Sequence, residues 1–206
     1  MAQTEQKNQN VKKQFEELQS LLERAMALQT SMVLFEWDDE TLAPKGAAEH
    51  TARVIGSLSE QYQEILASMR FKELLDACQK AEKENAGVFD EVQSAILREA
   101  AEEQERLSCI PPEEYRAYAE LTARATGIWT RAREKNDFAS FAPVLKEIIS
   151  YQKKFAAYRA KPGQKLYDVM LDTYEKGFNM EMLDPFFELM KGKIVPLLKE
   201  SAERSK

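Results

Sequence analysis

Val11, Phe15, Leu18, Leu22, Ala25 and Met32 recur at steps of three, four or seven residues. That spacing places all six on one stripe of a helix and predicts an element from about Glu5 to about Phe35. The stripe is similar to a coiled-coil seam, and an element of this length spans a domain rather than filling a corner. A chain organised around it is all-α or nearly so.

The remaining segments agree. Ala48, Ala52, Ile55, Leu58, Tyr62 and Ile65 predict a second helix from near Ala47 to about Ala67. Phe71, Leu74, Leu75 and Cys78 predict a shorter third helix over about Phe71–Lys83, ended by Asn85-Ala86-Gly87. A fourth runs from about Val88 to Leu107 on an Ala-rich stripe of Val92, Ala95, Ile96 and Ala100. Pro111-Pro112 followed by Glu113 and Glu114 opens a fifth, which carries Tyr115, Ala119, Thr122, Ala125, Trp129 and Ala132. Asn136-Asp137 break the pattern before a sixth helix that reaches about Tyr158. Asn179 caps a last helix holding Leu183, Phe186, Phe187, Met190, Ile194 and Leu198, which Pro196 is expected to kink or interrupt. No segment reads as a strand. The expected organisation is a single helical region over residues 1–206, with a possible internal joint at 161–179.

Composition removes several functions. Net charge is −6 with both signs interspersed, so there is no basic stripe for nucleic acid. No run approaches the ~20 apolar residues of a membrane span. The polar N-terminus lacks a signal-peptide core, and Cys78 and Cys109 are far apart, which together predict reduced thiols in a cytoplasmic protein.

Two stretches hold unusual chemistry. Trp37–Gly46 reads Trp-Asp-Asp-Glu-Thr-Leu-Ala-Pro-Lys-Gly and separates the first two helices. A large aromatic and three consecutive acids predict a connection that packs and hydrogen-bonds rather than one that simply turns. Asp38-Asp39-Glu40 would suit a metal or acid–base cluster, but consecutive helical residues point in different directions. A helix boundary with one acid capping backbone amides is the favoured reading. In the second stretch Asp168, Asp172 and Glu175 fall at steps of four and three, on one helical face. That face either lines a substrate cleft or forms a hydrogen-bonded joint ended by Gly177, with the joint favoured. A third possibility is an all-oxygen site for a hard cation. His50 is the sole histidine, and there is no HExxH, no CxxC and no phosphate-binding glycine loop.

The sequence Ser31-x-x-Leu34-x-x-Trp37-Asp38-x-x-Thr41-x-x-Pro44-x-Gly46-Ala47, with Arg53 after it, resembles the N-terminal signature of the thermostable carboxypeptidase Taq family. Trp129-x-x-Ala132-Arg133-x-x-x-Asp137-Phe138-x-x-Phe141-x-Pro143 is similar to a second family motif. Tyr167-Asp168-x-x-Leu171-Asp172-x-Tyr174-Glu175-x-Gly177 is similar to a third. The resemblance covers the chain from about Gln14 to about Leu198. It implies the N-terminal lid or wall, built of long antiparallel helices, of a two-lobed, neurolysin-like metallopeptidase. Such enzymes release residues from peptide C-termini with broad specificity, use zinc or cobalt, and are cytoplasmic and usually dimeric.

Their metal ligands come from an HExxH helix and a downstream Glu, beyond the point this sequence reaches. The resemblance therefore implies no catalytic and no metal-binding residue here. It implies a truncated or separately encoded region, catalytically incomplete alone, that binds no cofactor itself. Trp37, Asp38, Thr41, Pro44, Gly46, Arg53, Trp129, Asp168, Asp172, Tyr174, Glu175 and Gly177 are then structural or cleft-lining. The implied partners are peptides, for the full-length enzyme, and a second copy of the chain. The alternative is a stand-alone helical binding or oligomerisation module. A chain lacking part of its core would expose apolar surface on the last helix and around Trp37–Gly46.

Overall fold

The computed structural model describes residues 2–44 and 46–205. Among the described residues eight helices follow one another: α1 Ala2–Thr41, α2 Ala48–Leu66, α3 Met69–Glu84, α4 Glu91–Ser108, α5 Pro112–Glu134, α6 Phe138–Arg159, α7 Leu166–Tyr174 and α8 Met180–Arg204. The fold is all-α, with no strand among the described residues. The chain divides into two compact units, one up to Tyr151 and one from Gln152 onward.

In the first unit α2 packs against α1, α3, α4 and α5. The α1 stripe faces inward as its spacing requires: Val11, Phe15, Leu18 and Ala25 are buried, and Leu22 and Met32 pack at the edge of the same core. Phe71, Leu74, Leu75 and Cys78 of α3 complete it with Leu97, Ala100 and Leu107 of α4. Phe15 and Phe89 meet with ring centroids 5.1 Å apart. Burying side chains such as Leu18 or Phe71 is worth ~1.5–3 kcal/mol each. Cutting Phe71 back to Ala would therefore cost roughly 3–5 kcal/mol once the cavity is included.

Local sequence sets the helix ends. Ser68 accepts from the Phe71 amide at the start of α3. Asp90 and Gln93 exchange side-chain and backbone bonds in a capping box at the start of α4. Pro112 occupies the first turn of α5, where its missing amide costs no helical bond. Asn136 takes the left-handed conformation (φ 50°) just beyond α5, as Asn tolerates better than most residues.

Several expectations are corrected. α1 does not stop at Phe35 but continues to Thr41, because no helix breaker precedes Pro44. Trp37, Asp38 and Thr41 are therefore helical, and Trp37 and Leu42 stand out in solvent rather than packing. On α4, Val92 is exposed and the buried row is Leu97, Ala100 and Leu107. On α2 the buried face includes Gly56, Ser59 and Gln63, which a purely apolar stripe overlooks. α8 runs without interruption through Pro185 and Pro196.

In the second unit Phe155, Ala156 and Val169 are buried, and α8 buries none of its residues. Asp168 of α7 accepts the Met180 amide at 2.9 Å, and Asp172 accepts the Gly177 amide at 2.8 Å. Gly177 has φ 80°, a conformation that costs a side chain about 1 kcal/mol or more, so glycine suits the turn. Asn179 caps α8 through the Met182 amide at 3.0 Å.

Candidate functional site

The last turns of α1, the start of α2 and the middle of α5 enclose a groove of about 220 Å³. α1 contributes Glu36, Asp39 and Glu40, α2 contributes Thr51, Ala52 and Ile55, and α5 contributes Thr122, Ala123 and Thr126. The acids occupy the C-terminal end of a 40-residue helix, where the backbone already presents unpaired carbonyls and a partial negative charge. Acid and dipole therefore reinforce one another, and the groove favours cationic groups. Partial burial, with Glu40 nearby, raises the affinity of Glu36 for its proton above the ordinary carboxylate range. The Thr122 hydroxyl is turned back on its own helix, donating to the carbonyls of Tyr118 and Ala119.

Outside the groove's lining, ion pairs tie α2 to α5. Glu49 lies 3.6 Å from both Arg53 and Arg124, which links α2 to α5. Arg116 reaches Glu60 at 2.9 Å and Glu120 at 3.1 Å. These pairs are largely solvated and contribute ~0–1 kcal/mol each.

The motif residues fall in three places. The Thr41 hydroxyl donates to the Trp37 carbonyl at 2.6 Å, and the Asp38 carbonyl accepts the amides of Leu42 and Ala43. Pro44 accepts the Ala47 amide through its carbonyl, and Gly46 is exposed. The Asp38-Asp39-Glu40 run lies in the last turn of α1, where carbonyls rather than amides project, and none of its carboxylates caps the amide of a described residue. Trp129 lies under the Arg133 guanidinium, 5.2 Å from its ring centre. Asp168, Asp172 and Gly177 form the turn joining α7 to α8, while the side chains of Tyr174 and Glu175 are exposed. The first two groups lie in the first unit and the third in the second. The sequence reading did not single out Thr51 or Thr126. A one-turn repeat of Thr122 and Thr126 on α5 was the available signal.

No three His, Cys, Asp or Glu side chains converge to hold a metal ion among the described residues. His50 is exposed, and Asp168 and Asp172 each serve a different backbone amide. The described residues offer no ligand set for a catalytic metal. The proposed all-oxygen site of Asp168, Asp172 and Glu175 is not formed.

The model of the carboxypeptidase Taq (M32) metallopeptidases matches residues 17–206, and the chain belongs to that family. Carboxypeptidase 1 of Bacillus subtilis is 34% identical over 180 residues, which are 87% of this chain and 35% of that protein. Thermostable carboxypeptidase 1 of Pyrococcus furiosus is 31% identical over 183 residues, 89% of this chain and 36% of that protein. The crystal structure of BsuCP superposes with a TM-score of 0.85 at 32% identity, over 91% of this chain and 37% of that one. Trypanosoma cruzi metallocarboxypeptidase 1 gives 0.74 at 27% identity, over 93% and 38%. The chain thus spans little more than a third of the length of these relatives and is similar to an N-terminal portion of them.

Proposed function

We propose that this chain supplies N-terminal helices that wall the peptide cleft of a metallocarboxypeptidase. In this reading the metal and the proton-transferring groups belong to parts of the fold that this sequence does not contain. The chain's own contribution is shape and charge: packed helices, an acidic groove and Arg–Glu pairs between α2 and α5. The observation that carries the reading is the match of residues 17–206 to the family model, together with the TM-score of 0.85 against a carboxypeptidase. The substrates would be peptides with free C-termini, taken with broad specificity. Zinc or cobalt would act only in the complete enzyme.

On this reading the chain is inactive alone. Incubating it with an unblocked peptide and added zinc or cobalt should release no C-terminal residue above the metal blank, as followed by mass spectrometry. Turnover clearly above that blank would overturn the proposal. Cytoplasmic location and homo-oligomerisation belong to the same reading. Cell fractionation tests the first and sedimentation velocity the second.

A further inference from the structure

Met32 of α1 and Ser59 of α2 meet at the joint between the two helices. The Ser59 hydroxyl donates to the Met32 sulfur, with Oγ 3.0 Å from Sδ. Ser59 is 4% exposed, whereas Met32 is half-buried at the edge of the core. Glu36 and Ile55, each four residues away, line the groove, so this contact occupies the adjoining turn of both helices. A thioether is a weak acceptor, and a buried hydroxyl turned toward one fixes the orientation of its sulfur. The sulfur carries two lone pairs, one on each face of its C–S–C plane. Ser59 occupies one of them. An oxygen added on that side would take the space held by Ser59 Oγ.

We propose that Met32 is a site of stereoselective sulfoxidation, with a peroxide as the oxidant. The unoccupied lone pair of Sδ attacks one oxygen of hydrogen peroxide. The O–O bond breaks, an S–O bond forms, and the departing hydroxide takes the remaining proton to become water. Sulfur loses two electrons and the peroxide gains them. Because Ser59 covers one face, a single sulfoxide epimer forms, and only the reductase specific for that epimer restores the thioether. Oxidation also removes the lone-pair donor from the sulfur and sets a polar oxygen at the core edge. The buried Ser59 hydroxyl is left with a poorer acceptor, and the α1–α2 joint loosens beside the groove. Neither a metal nor a peptide cleft enters this reading, so it stands apart from the proposed function. Met26, 63% exposed on the same helix, supplies the unconstrained comparison.

The test is oxidation of the full chain with dilute hydrogen peroxide, followed by quenching and tryptic digestion in denaturant. Met26 and Met32 share the peptide Ala25–Lys45, so fragment ions read both from one digest. Aliquots are treated with a methionine sulfoxide reductase specific for one epimer or for the other. One enzyme should clear about nine-tenths of the Met32 sulfoxide and the other about one-tenth, while each clears about half of that at Met26. Ser59→Ala, with unchanged helicity by circular dichroism, should give Met32 the Met26 pattern. Equal epimers at Met32 in the wild-type chain overturn the proposal. So does a Met32 that stays reduced while Met26 is consumed. Selectivity that survives Ser59→Ala overturns it too, since the surrounding packing would then set the face.

Melting reads the loosened joint. Oxidation should lower the melting temperature of the wild-type chain by roughly 2–4 °C more than that of Met32→Leu, a replacement that conserves volume. An equal fall in both chains overturns the loosening.

Discussion

The Nε2 amide of Gln63 donates to the Ile110 carbonyl at 2.7 Å, across 47 positions of sequence. It also reaches the Leu107 carbonyl at 3.1 Å, and the side chain is fully buried. One polar side chain on α2 thus fixes the corner between α4 and α5. The Leu107 carbonyl also accepts the Ile110 amide, so removing Gln63 falls mainly on Ile110. An unpaired buried carbonyl costs ~1–3 kcal/mol, but Gln63→Leu also removes a buried Oε1 that has no hydrogen-bond partner. The net loss should be about 1 kcal/mol in urea unfolding. Gln63→Glu sets a carboxylate against two carbonyls and should lose more at neutral pH, with partial recovery in acid. Wild-type stability for Gln63→Glu at neutral pH would contradict the donation from Nε2 to the two carbonyls.

Gly56 of α2 lies against the side chain of Glu120 on α5. A Cβ placed there would overlap Glu120 Cγ. Alanine gains about 1 kcal/mol of helix propensity, whereas overpacking costs about 1–3 kcal/mol and displaces Glu120 from Arg116. The clash should win, and Gly56→Ala should unfold at lower urea than wild type. Gly56→Ala/Glu120→Ala should recover stability relative to the single variant, since the obstructing atoms are gone. A single variant more stable than wild type would refute the close approach.

Alkaline pH should weaken the first unit. Burial pushes the Cys78 thiol up to about 11, above its ordinary range. A raised folded pKa means the native state holds its proton more tightly. The stabilising contribution is complete below the unfolded pKa of about 8.5 and is lost as pH climbs through about 11. Burial, with Glu103 alongside, also raises the Tyr62 hydroxyl, which extends the loss above pH ~10. Urea midpoints should fall across this range, and Cys78→Ala should flatten the lower part of the decline. A pH-independent midpoint would contradict the burial of both groups.

Asp168 anchors the first amide of α8. Asp168→Ala removes the acceptor for Met180 while Asn179 still serves Met182. A lost cap costs ~1 kcal/mol, so amide exchange at the start of α8 should speed up about five- to tenfold. Exchange in α1–α5 should not change. Uniform acceleration throughout the chain would show that the turn carries global stability instead.

Glu36 faces the groove together with Asp39 and Glu40. Its raised pKa gives stability that is present below the unfolded value of about 4.3 and lost as pH rises past the folded one. At neutral pH the charge is therefore a small liability. Glu36→Gln should equal or slightly exceed wild-type stability there, and the advantage should vanish in acid. A clear loss at neutral pH would point to a cationic partner for this carboxylate.

Periodicity made the first unit readable. Phe15, Leu18, Phe71, Leu74 and Cys78 announce their burial by spacing alone, and Asn179 announces a cap by residue type. The polar parts of the core were not readable. Gln63 is buried because two carbonyls from distant residues need a donor, and no local pattern encodes that. Trp37 misled in the opposite direction. A large aromatic usually packs, yet this one stands on the solvated end of α1. The family was legible because three motifs occur in order, while the groove was not, since three helices assemble it from residues ordinary on each.

Both tryptophans, Trp37 and Trp129, lie in the first unit. Indole fluorescence is therefore blind to α7 and α8, whose aromatic signal comes from tyrosine and phenylalanine. Far-ultraviolet dichroism counts helix everywhere. Coincident melting curves from these two probes would mean that the chain unfolds as one cooperative body. Separated curves would resolve the units without a label, with indole emission reporting the first and the remaining ellipticity change reporting the second.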